Sequence, residues 1–463
     1  MTRKFRTPDY EATLNSTVSL REALPASHLA RFVVEVIAQL DLSPFYARYA
    51  PIGGEAIAPE ILLGLLFYGY ATGVFSSRKI EKATVESLPF RFVAGGLHPD
   101  HDTLANFRKT FLVEIAELFV QILLLAQTAH ILKLGNLSLD GSKIHADASK
   151  SRAVSYKRLV ELEAQLRQEV NELLTLGEQV DQGELRLPNG LVLPDELALR
   201  QERLTNLAKA KAVLEARAQE RYQAETAEYE AKVRAREEKA QKTKRKPRGP
   251  APKPPRPEPR DKDQYNFTDP ESRIMKNSTD QGFDQHYNAQ LAVTQDSFLI
   301  VATTLSNHPT DYSEALPTLD AIAPEVGKPK AAALDTGFFS ADNIFGMEAR
   351  GIEPYIATGR ETPHQNWRAY FAEQPASPSA EASPTVKMAY KLQTEIGQAI
   401  YRLRKCTVEP VIGIIKEILG FRQFSLRGLV AAAGEWCLVC LAFNLKRLHV
   451  LIPAPTARCG VAD

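Results

Sequence analysis

The sequence predicts a protein of the α/β class, with an all-α region before the sheet and a helical hairpin inserted within it. Three observations support this prediction. Short apolar strands are signalled before residue 150 and again after residue 280. Apolar residues at helical spacing occupy residues 1–130, and leucine stripes occupy residues 151–240. Because strand signals lie on both sides of the leucine stripes, we expect one sheet-containing domain interrupted by an insertion.

The composition is that of an ordinary globular protein. The 463 residues are 44% hydrophobic and 24% charged, and the formal net charge of +1 gives no argument for nucleic acid. Four cysteines are too few for a disulfide framework, and Cys437 and Cys440 lie in an apolar helical run that predicts buried thiols. No secretory signal and no bilayer-length apolar stretch is recognised, so we expect a cytoplasmic protein with no membrane partner.

The first 130 residues are expected to fold as helices. Apolar residues recur at helical spacing in His28–Leu40 and Glu60–Gly73, and Arg78–Glu86 predicts a short polar helix. Asp102 is the expected cap of one long helix, Thr103–Leu125. Short helices joined by tight turns are typical of helix-turn-helix DNA-binding domains. A plain helical docking domain fits this pattern equally well.

Strand signals begin near residue 136. Alternation in Asn136–Leu139 predicts a strand that ends in a turn at Asp140-Gly141. Later segments also predict strands: 287–293 and 298–304, which would form a hairpin, then 331–334 and 352–357. The chain is expected to end in helices from about residue 388 to 450, followed by a tail, 451–463.

The segment between the two groups of strands has a different pattern. Residues 151–240 carry leucines at steps of three and four, with a turn signal at Leu187–Gly190, which predicts an antiparallel helical hairpin. Residues 232–262 contain thirteen Lys and Arg against four Asp and Glu. The proline-rich part, 241–262, is predicted to be a disordered linker. Its cluster Lys244, Arg245 and Lys246 is expected to bind DNA backbone, and a solvated linker is the alternative.

Three acidic residues are candidate metal ligands. Asp140 and Asp335 each follow a short apolar strand, where ligands of α/β sheets usually bind. Glu409 lies in the first turn of a helix that Thr407 would cap, with Lys416 two turns later on the same face. Carboxylates held together repel one another unless a cation neutralises them, and Mg²⁺ prefers such oxygen ligands. The alternative is two turn aspartates and one solvated helix glutamate.

Several segments resemble DDE transposases of bacterial insertion sequences. Leu137–Ile144 (LSLDGSKI) resembles their first-aspartate segment, and Ala333–Phe338 (ALDTGF) resembles the second. Tyr401–Lys416 (YRLRKCTVEPVIGIIK) resembles their glutamate signature. Further segments match the same group in the same order: GVFSSRKIEK at 73–82, PDHDTLANFRK at 99–109, Asp269–Lys276 and Tyr287–Gln290.

The chain departs from the family pattern at one position. The family often has three residues between its arginine and its glutamate, and four residues separate Arg404 from Glu409 here. Either Arg404 or Lys405 could therefore supply the positive charge. Basic side chains in or near these segments are candidate DNA contacts: Lys416 and Arg404 beside the carboxylates, then Arg78, Lys79, Lys82, Arg108, Lys109, Arg273, Lys276 and Arg360.

The resemblance implies an RNase H-like mixed sheet flanked by helices, built from residues 131–150 and 263–450, after a DNA-end-binding helical domain at 1–130. It implies that Asp140, Asp335 and Glu409 hold two Mg²⁺ ions, for which Mn²⁺ can substitute. The reaction would cut transposon ends and join the freed 3′-hydroxyl to target DNA. The implied partners are double-stranded terminal inverted repeats, target DNA and a second copy of the chain in a homodimer at the nucleoid. A catalytically silent DNA-binding relative and a coiled-coil interaction protein built on 151–240 are the alternatives.

Overall fold

Helices and a mixed sheet make up a computed structural model that describes residues 19–20, 22–49, 56–182, 187–188, 191–243, 249–277, 282–359 and 377–452. The chain divides into two units, one formed by residues 1–145 with 287–463 and the other by residues 146–286. The mixed α/β class and the helical N-terminal region confirm the coarse prediction.

Helices fill the described N-terminal part of the first unit. Their bounds are α1 Leu29–Ile37, α2 Ser43–Tyr46, α3 Pro59–Ala71, α4 Ser77–Glu86, α5 Leu88–Val93, α6 His101–Thr110 and α7 Leu112–Thr128. Helix α3 is apolar on all sides and almost wholly buried, as expected for a helix at the centre of a core. Helices α1 and α5 pack against it.

The long helix predicted from Thr103 is wrong, because α6 and α7 are separate helices bent by 75°. The break falls at Phe111, whose backbone leaves the helical region and whose ring stacks on Phe45 with 5.1 Å between centroids. A straight helix would not bring this ring into the core. The predicted cap is also wrong, since Asp100 and not Asp102 accepts the Thr103 N–H at 2.7 Å.

The strands of both units, in chain order, are β1 Asn136–His145, β2 Ala153–Ser155, β3 Gln264–Asn266, β4 Arg273–Lys276, β5 Phe283–Thr294, β6 Ile300–Ser306, β7 Ala331–Leu334 and β8 Glu353–Ile356. In the first unit the order is β5-β1-β7-β8, and β6 pairs antiparallel with β5. Strand β7 runs parallel to both of its neighbours. Strand β1 therefore lies in the middle of this sheet.

Strand β1 continues through the position where the sequence predicted a turn. Asp140 and Gly141 lie within it, and it ends only at His145. There the His145 N–H donates to the Arg422 carbonyl at 3.0 Å, and the Phe424 N–H donates to the His145 carbonyl at 2.8 Å. This pairing with a distant segment keeps the chain extended, so Asp140 occupies the middle of a strand.

The described C-terminal part is mainly helical. After α8 Tyr156–Asp181 and α9 Leu193–Thr243 of the second unit, its elements are α10 Ala315–Asp320, α11 Ala341–Ala349, α12 Pro384–Gln393, α13 Glu395–Gly413, a π-helical turn Ile414–Ile418 and α14 Leu429–Leu451. The predicted start of the glutamate helix is wrong: Thr394 caps α13, and Pro410 lies inside it. Helix α14 is long and apolar enough to cross a bilayer, but most of it is buried against α3, α7 and β6.

The second unit contains two long helices, α8 Tyr156–Asp181 and α9 Leu193–Thr243. They run antiparallel, because Glu169 pairs with Arg200 at 2.9 Å and Glu163 pairs with Lys211 at 2.9 Å. Their apolar stripes meet in a cluster: Leu159, Leu166, Leu207, Ala210 and Leu214, with Val154 from β2. Strands β2 and β3 pair antiparallel, and β4 pairs with the first four residues of β5. Part of the predicted turn, 189–190, lies outside the described residues.

The predicted linker, 241–262, is described from residue 249 onward, apart from the end of α9. Residues 249–262 contain no helix or strand, but they contact α9. The Arg236 guanidinium donates to the carbonyls of Gly249 at 2.7 Å and Pro250 at 3.0 Å, and Arg260 pairs with Glu225 at 2.7 Å. Lys244, Arg245 and Lys246 lie outside the described residues, as does the tail from residue 453.

Candidate active site

Asp140 and Asp335 lie on neighbouring parallel strands. The register pairs Ser138 of β1 with Ala333 of β7, so two further residues along each strand bring the two aspartates side by side. Neighbouring strands are about 4.8 Å apart, which places the two carboxylates at interaction distance. Asp335 directly follows the buried strand β7, and its Oδ1 accepts the Gly337 N–H at 2.8 Å. The aspartates are thus positioned by the sheet itself.

Glu409 reaches the same region from helix α13, which packs across β1 and β7. The Arg404 guanidinium lies between two carboxylates: Nη1 is 3.2 Å from Asp140 Oδ2, and Nη2 is 3.2 Å from Glu409 Oε1. Its side chain is only 7% exposed, whereas that of Glu409 is 50% exposed. A buried guanidinium beside two carboxylates gains charge-assisted hydrogen bonds that offset its loss of water.

The surroundings of Asp140 shift the pKa of its carboxyl group. Burial raises the pKa of Asp140 to about 7; the Arg404 guanidinium lowers it, and the charges of Asp335 and Asp311 add to the rise. The direction means that the site disfavours the accumulation of negative charge at this carboxylate. A further cation beside Asp140 would favour its ionised form.

Buried hydrogen bonds fix α13 on β1. Thr407 Oγ1 donates to Ser138 Oγ at 2.7 Å, and Gln295 Nε2 donates to the same oxygen at 3.1 Å and to the Ile400 carbonyl at 3.0 Å. Ser138 precedes Asp140 by two positions, and Thr407 precedes Glu409 by two. These contacts therefore set the position of the glutamate relative to the aspartate, and Thr407 has this role instead of the predicted capping role.

Lys416 anchors the turn that follows Glu409. Its Nζ donates to the Lys143 carbonyl of β1 at 2.9 Å, and burial lowers the pKa of Lys416. The residue lies in the π-helical turn, a helical irregularity that is frequent at functional sites. The geometry gives Lys416 a contact within the chain where the sequence predicted a contact with DNA phosphate.

Asp311 is a fourth acidic residue close to Asp140 and Asp335, and the sequence did not predict it as part of the site. It lies in the loop between β6 and α10, and its Oδ1 accepts hydrogen bonds from Gln290 Nε2 at 2.6 Å and Asn288 Nδ2 at 2.8 Å. Asn288 and Gln290 alternate on β5 and are buried. Asn288 and Gln290 are two positions apart in a predicted strand, so their amides share one face. Buried amides need polar partners, and this spacing is the sequence signal that could have indicated one.

Gly141 leaves the space that Asp311 and Gln290 occupy. A Cβ on Gly141 would lie 2.2 Å from Gln290 Nε2 and 2.5 Å from Asp311 Oδ1. We expect Gly141→Ala to lower the free energy of unfolding by about 1–3 kcal/mol, because these side chains would have to move. Gly359→Ala is the control, since its Cβ would meet nothing within 4 Å. Urea denaturation followed by tryptophan fluorescence measures both, and equal effects of the two changes would contradict the steric explanation.

As the side chains stand, the described residues contain no group of three His, Cys, Asp or Glu side chains that is arranged to hold a metal ion. The donor set nevertheless fits a hard divalent cation, because it consists of carboxylate oxygens. The side chains of Asp311 and Gln290 fill the space beside Gly141, and the buried Gln290 Oε1 has no hydrogen-bond partner among the described residues. Binding of a divalent cation would require the carboxylate side chains to rotate. Without that cation, Arg404 supplies the positive charge beside Asp140 and Glu409.

The residues predicted to contact DNA differ in how exposed their side chains are. Arg78, Lys79 and Lys82 of α4 and Lys109 of α6 are exposed, and Lys82 pairs with Glu86 at 3.5 Å. Lys276 is exposed on β4, whereas the Arg273 guanidinium donates to nearby carbonyls, including that of Glu271 at 2.9 Å. Arg360 lies outside the described residues.

Arg108 is not on the surface. Its guanidinium donates to Tyr70 Oη at 2.6 Å and lies 3.6 Å from the buried Glu435 carboxylate. This placement corrects the prediction that Arg108 reads DNA, since the side chain is only 7% exposed. Sequence spacing could not reveal this pair, because its two members are separated by more than 300 positions.

Two family models match the chain. The model described as a transposase domain (DUF772) matches residues 18–110, which contain helices α1–α6. The model described as a transposase DDE domain matches residues 376–449, which contain Arg404, Glu409 and Lys416. No curated protein and no solved structure matches the chain. The two matches, in the order and at the ends where the sequence resemblance lies, support a DDE transposase of the insertion-sequence type.

Proposed function

We propose that the protein cuts DNA at the ends of its own element and joins the freed ends to target DNA, with Asp140, Asp335 and Glu409 as the acidic residues of the reaction. The observation that carries this proposal is the approach of three chain-distant carboxylates to one another around β1 and β7. Phosphoryl transfer depends mainly on positioning and charge neutralisation, and a carboxylate cluster suits that chemistry.

DDE transposases generally use divalent metal ions. Two Mg²⁺ ions held by Asp140, Asp335 and Glu409, or Mn²⁺ in their place, would neutralise charge on the attacking and leaving oxygens of the phosphate. Arg404 would hold Asp140 and Glu409 in position and contribute positive charge beside the phosphate. Lys405 is the alternative for that charge. Lys416 would keep the glutamate helix against β1 through its contact with Lys143.

An RNase H-like domain is the fold that we infer for the catalytic part. Its support is the sheet order, with β1 between β5 and β7, together with a C-terminal helix that brings a glutamate to the two aspartate strands. In this proposal α8 and α9 form an insertion between β1 and β5. The function of the insertion would be to contact DNA through its basic end or to contact a second copy of the chain.

Helices α4 and α6 are the proposed surface for the element's ends. Their exposed cations are Arg78, Lys79, Lys82 and Lys109. Contacts from lysine and arginine to phosphate release counterions, so binding should weaken steeply as salt rises. Two ends must be held together during the reaction, for which we propose a homodimer acting on the nucleoid.

The test uses the full chain, a DNA fragment carrying the inverted repeats that flank its gene, and a target plasmid. We expect nicks at the repeat ends and joined products with Mg²⁺ or Mn²⁺, and none with EDTA. The alternative is a catalytically silent DNA-binding relative of these enzymes. Binding in a gel shift without any product in Mn²⁺ would support that alternative. If the protein neither binds this DNA nor yields a product, the proposed function and the alternative are both contradicted.

A further inference from the structure

Asp311 lies where the two catalytic aspartate segments meet. Its Oδ1 is 2.5 Å from the position of a Cβ on Gly141, the residue after Asp140. Its Oδ2 is 3.7 Å from the position of a Cβ on Gly337, two residues after Asp335. The carboxylate thus lies between the glycines that flank the two aspartates, and its charge contributes to the environment of Asp140.

Neutral groups hold Asp311 in this position. Its two side-chain donors are the amides of Asn288 and Gln290, which are 2% and 0% exposed. Within the described residues no ion pair reaches Asp311 or Asp335, while Arg404 pairs with Asp140 and Glu409. Amide donors fix the direction of a carboxylate without supplying a positive charge. Asp311 and Asp335 are therefore the two acidic residues of this group that a further cation could approach without competing with an ion pair.

Gln290 provides an independent indication of a ligand. Its Oε1 is buried and has no hydrogen-bond partner among the described residues, although its Nε2 donates to Asp311. The amide carbon would be 2.7 Å from a Cβ on Gly141, where Asp311 Oδ1 also lies, so this amide ends beside the Asp311 carboxylate. A buried oxygen without a partner costs free energy, and a cation or a water bound to a cation would satisfy it.

We propose that Asp311 is a fourth acidic ligand of the metal centre, on the side between Asp140 and Asp335, and that Asn288 and Gln290 hold it there. This inference rests on the proposed function and adds a ligand to it. The role of the β5 amides is to fix the direction of the Asp311 carboxylate, as outer hydrogen bonds commonly do for metal-binding side chains. The bound species is a hard divalent cation, because oxygen is the ligand atom offered.

The experiment is a Mn²⁺ titration of the full chain without DNA, in which electron paramagnetic resonance measures the free ion. Asp311→Asn is the variant, because an asparagine Oδ1 can still accept the hydrogen bonds of Asn288 and Gln290. We expect it to weaken Mn²⁺ binding about 10- to 100-fold or to remove one bound ion. Asp342→Asn makes the same change at an exposed position on α11 and should bind Mn²⁺ like the wild type.

A second variant separates charge from packing. Asp311→Glu keeps the carboxylate but lengthens the side chain, so it should bind Mn²⁺ more tightly than Asp311→Asn does. The rise in unfolding temperature that Mn²⁺ causes gives a second readout of the same binding. Equal losses in both variants would indicate a packing effect and overturn the proposal.

The outcomes also separate this inference from the proposed function. If Asp335→Asn abolishes Mn²⁺ binding while Asp311→Asn binds as the wild type does, the fourth ligand is wrong and the three-carboxylate centre stands. If the wild-type chain binds no Mn²⁺ at millimolar concentration and produces no cleavage, the metal centre fails as a whole and the inference fails with it.

Discussion

Replacing Asp335 by asparagine is expected to lower the rate of DNA cleavage and joining by about 10³-fold or more. The reason is the loss of one negative charge from the group that would bind the catalytic cations. A loss of 10³-fold corresponds to about 4 kcal/mol of transition-state stabilisation. The fold should survive, because an asparagine Oδ1 can still accept the Gly337 N–H that Asp335 accepts at 2.8 Å.

The matched control for this prediction is Asp342→Asn, which changes the same residue type seven positions later on an exposed helix turn. Cleavage rates of both variants are measured on DNA that carries the repeat ends, at saturating Mg²⁺. A gel shift shows whether each variant still binds DNA, which we expect to be unchanged or slightly tighter for Asp335→Asn. A rate within threefold of the wild type for Asp335→Asn would exclude a ligand role for this residue.

The second large effect concerns the stability of the fold. Glu435 is wholly buried on α14, and its carboxylate accepts the N–H groups of Ser425 at 2.8 Å and Leu426 at 2.9 Å. Tyr70 Oη also donates to it at 3.1 Å, and Arg108 lies 3.6 Å away. Glu435→Ala would leave the Arg108 guanidinium buried without its counter-charge. We expect the free energy of unfolding to fall by about 3–5 kcal/mol.

Urea denaturation followed by Trp436 fluorescence measures this effect, because Trp436 is buried next to Glu435. The chain has two tryptophans, so a Trp367→Phe background makes Trp436 the reporter. Glu417→Ala is the control: this glutamate pairs with Arg422 on the surface, and its loss should cost less than about 1 kcal/mol. Equal losses for the two glutamates would contradict the buried-charge explanation.

A double variant tests the same explanation from the other side. Arg108→Met with Glu435→Gln removes both charges and keeps an oxygen for the N–H groups of Ser425 and Leu426. We expect it to be more stable than Glu435→Ala, because no unpaired charge remains buried. If the double variant were the less stable of the two, the carboxylate itself and not the pairing of Arg108 would account for the stability.

Elements with strong local patterns could be predicted closely. Ala331–Leu334 was predicted as a strand and is strand β7, and the polar helix at 78–86 is helix α4. Runs of apolar residues and helical spacing depend on neighbours within a few positions, so a sequence window contains the whole signal. The two aspartate segments and the glutamate segment were recognised for the same reason, as short contiguous motifs.

Predictions failed where distant contacts override local preference. Asp140-Gly141 has the composition of a turn, but β1 passes through it because the chain beyond is held by residues 422–424. The sequence around Phe111 favours a continuous helix, but the helix breaks at Phe111, whose ring stacks on Phe45. The helix of Glu409 was expected to begin at Thr407, but α13 begins at Glu395 and continues through Pro410. In each case the free energy of tertiary packing exceeds the weaker local preference.

The sequence by itself determined the class of the protein, most helices and strands, and the acidic residues whose neighbours form recognisable motifs. Tertiary structure alone decided which polar groups share an environment. It brought Asp311 beside Asp140, put Arg404 between two carboxylates and buried Arg108 against Glu435. The physical reason is that the free energy of a charge depends on its burial and its partners within a few ångströms, and these partners come from remote parts of the chain.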